Sequence, residues 1–278
     1  MKPYLSWYAG ILTITFAVGL LAVREWNLQP DGRLHAYFLD VGQGDSALLV
    51  SPSGKQIVID GGPDLSPLEH LGAYMPYFDR EIELLVLSHP NLDHLAALPE
   101  ILRRYRIDRV LITAVPYDMG RYQAMLSEIA QQGIPVTIAK QGATIAMDDG
   151  FTLSVLWPPT ELLGKSVKLS KLNDTSIVLR AGFSGHSILF TGDMEEPVER
   201  ALVKSGIDLH ADILKVPHHG SHTSSGTGFL LAVHPSLAVI SVGEGNSYGH
   251  PHREIMERYR ALGIPVRLTK SGTVSISF

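Results

Sequence analysis

The chain contains no cysteine. That excludes disulfides and thiolate ligands, so any metal must be held by His, Asp, Asn or water, and the absence is compatible with an oxidising compartment without requiring one. Basic residues are also scarce. Against 28 Asp and Glu stand 23 Lys and Arg, a formal charge of −5, which argues against nucleic-acid binding through a broad basic face but not against an enzyme that grips a few phosphates through metal ions. There is no short repeat and no low-complexity tract, and no GK[ST] or GxGxxG follows the glycine-rich turn DVGQGDS. What is there is a chain of 278 residues, 45% apolar and 18% charged, long enough to bury a sizeable core.

Residues 4 to 23, YLSWYAGILTITFAVGLLAV, carry no charge, and at ~1.5 Å per residue such a helix is about as long as a bilayer's hydrocarbon is thick. This predicts a single-pass anchor over residues 1–24, with Trp7 and Tyr8 near one end. The run is long for a cleaved leader and no small-x-small site precedes Arg24. Lys2 against Arg24, largely offset by Glu25, places the body of the protein on the extracytoplasmic side of the cell membrane. Residues 25–33 read as a linker and 34–278 as the folded domain. Strands are expected near residues 34–41, 46–50, 56–60 and 84–87, then helices over 95–105 and 122–132 alternating with strands at 109–113 and 135–138. A second set of strands at 151–156, 175–181, 187–191, 213–216 and 237–242 is interleaved with helices at 195–204 and 252–262. Two such halves predict an α/β αββα sandwich, two sheets face to face with helices outside.

The chemistry gathers where apolar runs stop. Leu84 to His94, LLVLSHPNLDH, ends in His89, Asn91, Asp93 and His94. Two imidazoles and a carboxylate within six positions on one loop are side chains that hold a divalent metal, and the residues after His94 suggest that a helix begins there. Asp60-Gly-Gly ends another strand and is placed to orient a metal-bound His. Asp40 to Ser46, DVGQGDS, taken alone is a glycine-rich hairpin. Asp193, at the end of ILFTGD, is placed to bridge two ions. In KVPHHGSH the adjacent His218 and His219 cannot face the same way, so one suits metal and the other substrate; His250, in a glycine-rich loop, is a closing ligand. Isolated histidines such as His35, His70 and His234 read as ordinary surface or structural residues. Strand ends bearing His and Asp in four places are what a two-metal site needs, and two close ions activate water and neutralise charge on a phosphate.

In order along the chain, DVGQGDS, VIDGG, LSHPNLDH, NDTSIVL, LFTGD, LKVPHHGS and SVGEGNSYGHP resemble the metallo-β-lactamase domain of the ComEC competence family. The resemblance implies a metallo-β-lactamase-like fold and a membrane-anchored, metal-dependent phosphodiesterase with two zinc or manganese ions. It also implies a nuclease that degrades the DNA strand not imported during uptake. It carries over His89, Asp93, His94, Asp193 and His250 as metal positions, with His218 assigned to metal, Asp93 and His219 to catalysis, and His219 to protonation of the leaving group. Asn91 and Asn173 stand where the wider superfamily has histidine or this family often has aspartate, which tilts the site towards oxygen ligands. Family members carry a multi-helix channel ahead of this domain, so a separate channel protein is an expected partner beside single-stranded DNA. Hydrolysis of small or cell-surface phosphodiesters, and a catalytically degenerate module that binds DNA or a partner, are the alternatives.

Overall fold

The computed structural model describes residues 2–278; Met1 and the side chains of residues 2–6 and 9 lie outside the description. In chain order the first half comprises α1 (Lys2–Asn27), β1 (His35–Phe38), β2 (Ala47–Val50), β3 (Gln56–Ile59), α2 (Ser66–Tyr74), β4 (Glu81–Ile82), β5 (Leu84–Leu87), α3 (Leu92–Leu95), α4 (Leu98–Arg104), β6 (Arg106–Ile107), β7 (Val110–Ile112), α5 (Gly120–Gln132) and β8 (Val136–Ile138). The second comprises β9 (Thr144–Ala146), β10 (Thr152–Trp157), β11 (Val178–Phe183), β12 (His186–Phe190), α6 (Glu196–Ser205), β13 (Ile213–Lys215), α7 (Thr227–Val233), β14 (Leu237–Ile240), α8 (Arg253–Ala261), β15 (Val266–Leu268) and β16 (Val274–Ser277).

Two seven-stranded sheets result, in the orders β16-β1-β2-β3-β5-β7-β8 and β15-β14-β13-β12-β11-β10-β9. Strands such as LLVL at β5 and ILK at β13 are apolar nearly throughout because both faces of each sheet are covered. Alternate residues divide the work. Leu84 and Val86 point into the layer between the sheets with Ile57, Ile59, Val155 and Ile188, where Phe38 and Phe190 stack at 5.5 Å. Leu85 and Leu87 pack outward against Leu98, Ile101 and Met125 of α4 and α5. On the far side Leu189, Leu214 and Ile240 meet Val198, Leu202, Phe229, Ile255 and Tyr259 of α6, α7 and α8. The expected αββα layering is therefore the architecture.

The strand pattern also explains where a site can form. Each sheet switches from antiparallel to parallel pairing, at β3–β5 in one and β12–β13 in the other. Such switch points leave a crevice outside the carboxyl ends of the strands, and the loops after β3, β5, β12 and β13 carry Asp60, His89, Asp193 and His218.

Several expectations need correction. The last strand, β16, leaves the second half and pairs antiparallel with β1, Phe38 opposite Val274, so the halves are not independent. α7 had no counterpart in the sequence reading, because TGFLLAV shows no polar face. The helix expected to begin after His94 is two pieces, and α3 already starts at Leu92. Residues 4–23 are helical, but α1 runs on to Asn27, past the expected boundary at residue 24. The expected anchor falls partly on residues 1–6 and 9, whose side chains lie outside the described residues, and no helix among the described residues is long and apolar enough to cross a membrane. Trp7, Phe16, Leu20 and Val23 of α1 are exposed. At its end Arg24 donates to the carbonyls of Gly72, Ala73 and Met75, and Glu25 accepts from the Tyr77 amide.

Candidate metal centre

Asp60 sits in a left-handed conformation (φ 62) directly after β3, which turns its carboxylate across to the end of β5. One oxygen accepts from the Ser88 amide at 2.7 Å; the other accepts from the Ser88 hydroxyl at 2.7 Å and from His94 Nδ1 at 2.9 Å. With Nδ1–H committed to Asp60, His94 presents the lone pair of Nε2 to the crevice. His219 is fixed in the same way by its Nδ1–H bond to the Ser241 carbonyl, 2.9 Å. His218 and His219 both have positive φ (49 and 54), and this strained pair of residues after β13 splits the two rings.

Asp93, His94, Asp193 and His219 converge, each offering a ligand atom within 4.8 Å of the others. His94 Nε2 lies 3.3 Å and His219 Nε2 3.4 Å from Asp193 Oδ2; Asp93 Oδ2 lies 3.4 Å from His219 Nε2 and 4.0 Å from His94 Nε2. Two ligand atoms on one tetrahedral ion with bonds of 2.0–2.1 Å stand about 3.3 Å apart, so these spacings suit a single cation. The buried nitrogens His89 Nε2, His94 Nε2 and His219 Nε2, and Asp193 Oδ1, have no hydrogen-bond partner. Leaving such atoms unsatisfied costs about 1–3 kcal/mol each. A metal ion would satisfy His94 and His219 at once, and the donor set of two imidazoles and two carboxylates fits zinc or manganese. A second group, Asp45, Asp60 and His94, lies beneath the first.

The remaining expected ligands are nearby but do not enter that group. The His89 ring, fully buried, is 4.2 Å from that of His94. His218 Nε2 is 4.0 Å from Asp193 Oδ2, so His219 rather than His218 closes the group. His250 faces His218, ring centroids 5.7 Å apart, with Tyr248 stacked on its other side at 5.7 Å. Asn91 donates from Nδ2 to Asn173 Oδ1 at 2.8 Å.

Electrostatics divide the imidazoles into two sets. Burial disfavours a charged His94, but Asp193, Asp60 and Asp93 overcome it and hold its imidazolium well above the ordinary range. Burial likewise opposes the charge on His219, and Asp193 and Asp45 outweigh it, pushing the group up to about 10. Burial pulls His89 down to about 3, with His94 adding to the effect, and pulls His250 down to about 4 with help from His219 and His218. The place between His94 and His219 is one where excess negative charge calls for a cation.

Two residues escaped the sequence reading. Asp45, in DVGQGDS, stands 3.5 Å from His219 Nδ1 and 3.7 Å from His94 Nδ1. It reaches them because the loop packs tightly on the metal loop. A Cβ on Gly44 would fall 2.3 Å from the Asp93 carbonyl, which instead accepts from the Asp45 amide at 3.1 Å. Lys215 is buried, ion-paired with Asp45, 3.0 Å from the Gly192 carbonyl and 3.7 Å from Asp193 Oδ1. The one charge inside the apolar run ILKVP was its available signal, since lysine is rarely buried unpaired.

The sequence profile of the metallo-beta-lactamase superfamily matches residues 39–244. ComE operon protein 3 of Bacillus subtilis is 27% identical over 258 residues, covering 86% of this chain and 32% of that protein. Recombination protein 2 of Haemophilus influenzae is 30% identical over 285 residues, 97% of this chain and 31% of that protein. The chain spans about a third of the length of each. Among solved structures, the metallo-beta-lactamase fold protein YhfI from Bacillus subtilis superimposes with a TM-score of 0.60 at 11% identity, covering 88% of this chain and 100% of that one. Profile, fold and the strand-end cluster agree, and the chain belongs to the metallo-beta-lactamase superfamily.

Proposed function

We propose that this chain is a metal-dependent phosphodiesterase acting on polynucleotides, a nuclease serving DNA uptake at a membrane. The observation that carries the reading is the buried group Asp93, His94, Asp193 and His219, with its partnerless imidazole nitrogens at the switch points of both sheets. A bound ion supplies a hydroxide at neutral pH and neutralises charge on the phosphate. Asp93, His94, Asp193 and His219 would hold the ion, and Asp60 and the Ser241 carbonyl hold the two rings in the tautomer that presents Nε2. Asp93, whose side chain is 36% exposed, faces the mouth, where the carboxylate oxygen not turned to the ion orients the attacking water. His218, also at the mouth, contacts the substrate, and His219 passes from the leaving-group role expected of it to that of a ligand.

A polynucleotide is favoured by the loop that leads into the site. Gly164 to Leu172, GKSVKLSKL, carries three lysines and no acidic residue in a chain of net charge −5. Gly164 is bonded to the Ala114 carbonyl beyond β7, and Asn173 at the other end touches Asn91 and His218. Lys171 pairs with Asp174, while Lys165 and Lys168 are exposed. They are placed to meet backbone phosphates beyond the one being cut. The exposed apolar residues of α1 support membrane association, and a separate channel protein remains the expected partner. The acidic net charge favours a second reading, hydrolysis of small phosphodiesters.

Purified chain with manganese or zinc is expected to cut single-stranded DNA, and Asp193→Ala to abolish cutting. Turnover of small phosphodiesters without cleavage of DNA would select the second reading. No turnover of either, with wild type and Asp193→Ala alike, would remove both.

A further inference from the structure

We propose that this metal centre holds one divalent ion, and that a hydrogen-bonded amide pair, Asn91 with Asn173, fills the place of a second. The inference rests on the metal-dependent reading above and departs from the two-ion arrangement that the family resemblance implies.

The neighbouring place lies between the loop after β5 and the segment that enters β11. Asn91 arrives from the first and Asn173 from the second, and they meet at 2.8 Å with the Asn173 carbonyl oxygen already used as acceptor. The Asn173 amino group points its hydrogens at His218 Nε2 and Glu195 Oε1, both 3.4 Å away. A cation there would face N–H dipoles of the wrong sign, and the His218 lone pair is turned towards a donor. A neutral amide oxygen is in any case a poor substitute for imidazole or carboxylate on a transition metal. Among the described residues, no three His, Asp or Glu side chains converge on this spot, whereas four converge beside it.

Asp193 sharpens the asymmetry. A carboxylate bridging two ions would share itself between them. Here Oδ2 is the oxygen that His94 and His219 approach at 3.3 and 3.4 Å, with His218 Nε2 farther off at 4.0 Å, while Oδ1 faces the buried ammonium of Lys215 at 3.7 Å. Lys215 is itself anchored by Asp45 and by the Gly192 carbonyl. The fixed lysine stands as a permanent cation on the side of Asp193 turned away from the ion.

The test counts metal. The full chain is loaded with excess manganese, desalted and analysed by native mass spectrometry and electron paramagnetic resonance. One ion per chain and the six-line spectrum of an isolated manganese are expected. The double variant Asn91→His with Asn173→His, its fold checked by circular dichroism, is expected to rise to two ions with an exchange-coupled signal. Two ions in wild type would overturn the proposal while leaving the metal-dependent reading intact, and no ion at all would overturn both. A folded double variant that stays at one ion would show that the amide pair is not what excludes the second, and would also overturn it.

Discussion

Two neighbouring places on the same sheet edges, a few ångströms apart, have been given opposite chemistry. One collects Asp93, His94, Asp193 and His219, with Asp45 and Asp60 behind them and two partnerless imidazole nitrogens in the middle. The other is bounded by Asn91, Asn173 and His218, and two amides close it with a hydrogen bond. Both draw on the loops that follow the parallel strands β5 and β13. What distinguishes them is whether the side chains leave unsatisfied acceptors for a cation or satisfy one another. A fold therefore offers positions, and the residues decide which are used.

Removing a ligand from the first place should have the largest effect. Asp193→Ala or His94→Ala is expected to lose the ion at micromolar metal and all metal-dependent DNA cleavage, whereas Asn91→Ala should retain both; calorimetric titration and a gel assay read the two. Equal losses at Asn91 and Asp193 would erase the distinction.

The two sets of imidazoles should also titrate in opposite directions in the ion-free chain. His219, at about 10 when folded and about 6.5 when unfolded, lends stability that is complete below pH 6.5 and lost as pH rises towards 10. His89, at about 3 when folded, does the reverse: its contribution is present above pH 6.5 and lost as pH falls towards 3. Denaturant unfolding in chelator should thus peak near neutrality and fall on both sides, by on the order of a few kcal/mol at about 1.4 kcal/mol per pKa unit. A bound ion replaces the proton on His219 and should flatten the alkaline limb alone. A chelated chain with no loss of stability from pH 6.5 to 10 would contradict the charge crowding described around His219.

Asp60 orients a ligand without being one, so Asp60→Asn should weaken metal binding by about 10–100-fold without altering the ion count. The smallest effect belongs to the rim. Replacing Lys165 and Lys168 with alanine should raise KM for single-stranded DNA and reduce the slope of log affinity against log salt by about 1.4, at roughly 0.7 per phosphate contact. Hydrolysis of a small phosphodiester should not change, and an equal loss on both substrates would mean that the loop acts by positioning the site.

Much of this was legible in the sequence. His89, Asp93 and His94 fall in one contiguous run, and Asp193 and the pair His218–His219 each follow an apolar strand, so pattern and residue type pointed to them, with His218 expected as the ligand of that pair. The choice between His218 and His219 was not legible. It depends on two successive left-handed residues after Pro217, which no periodicity reveals, and on the Ser241 carbonyl far along the chain that captures one ring. Asp45 was hidden in a motif that reads as a glycine turn until Gly44 is seen pressed against Asp93. The return of β16 to the first sheet is a long-range pairing that local propensity does not encode. Asn91 and Asn173 were visible as departures, but their meeting at 2.8 Å is a tertiary fact.

Anomalous diffraction from a crystal of the manganese- or zinc-loaded chain tests most directly whether one cation is held between Asp93, His94, Asp193 and His219. A single strong peak is expected within bonding distance of those four side chains, and none between Asn91 and Asn173. A peak bonded to His89 and Asn91, with His94 and His219 left unligated, would contradict it.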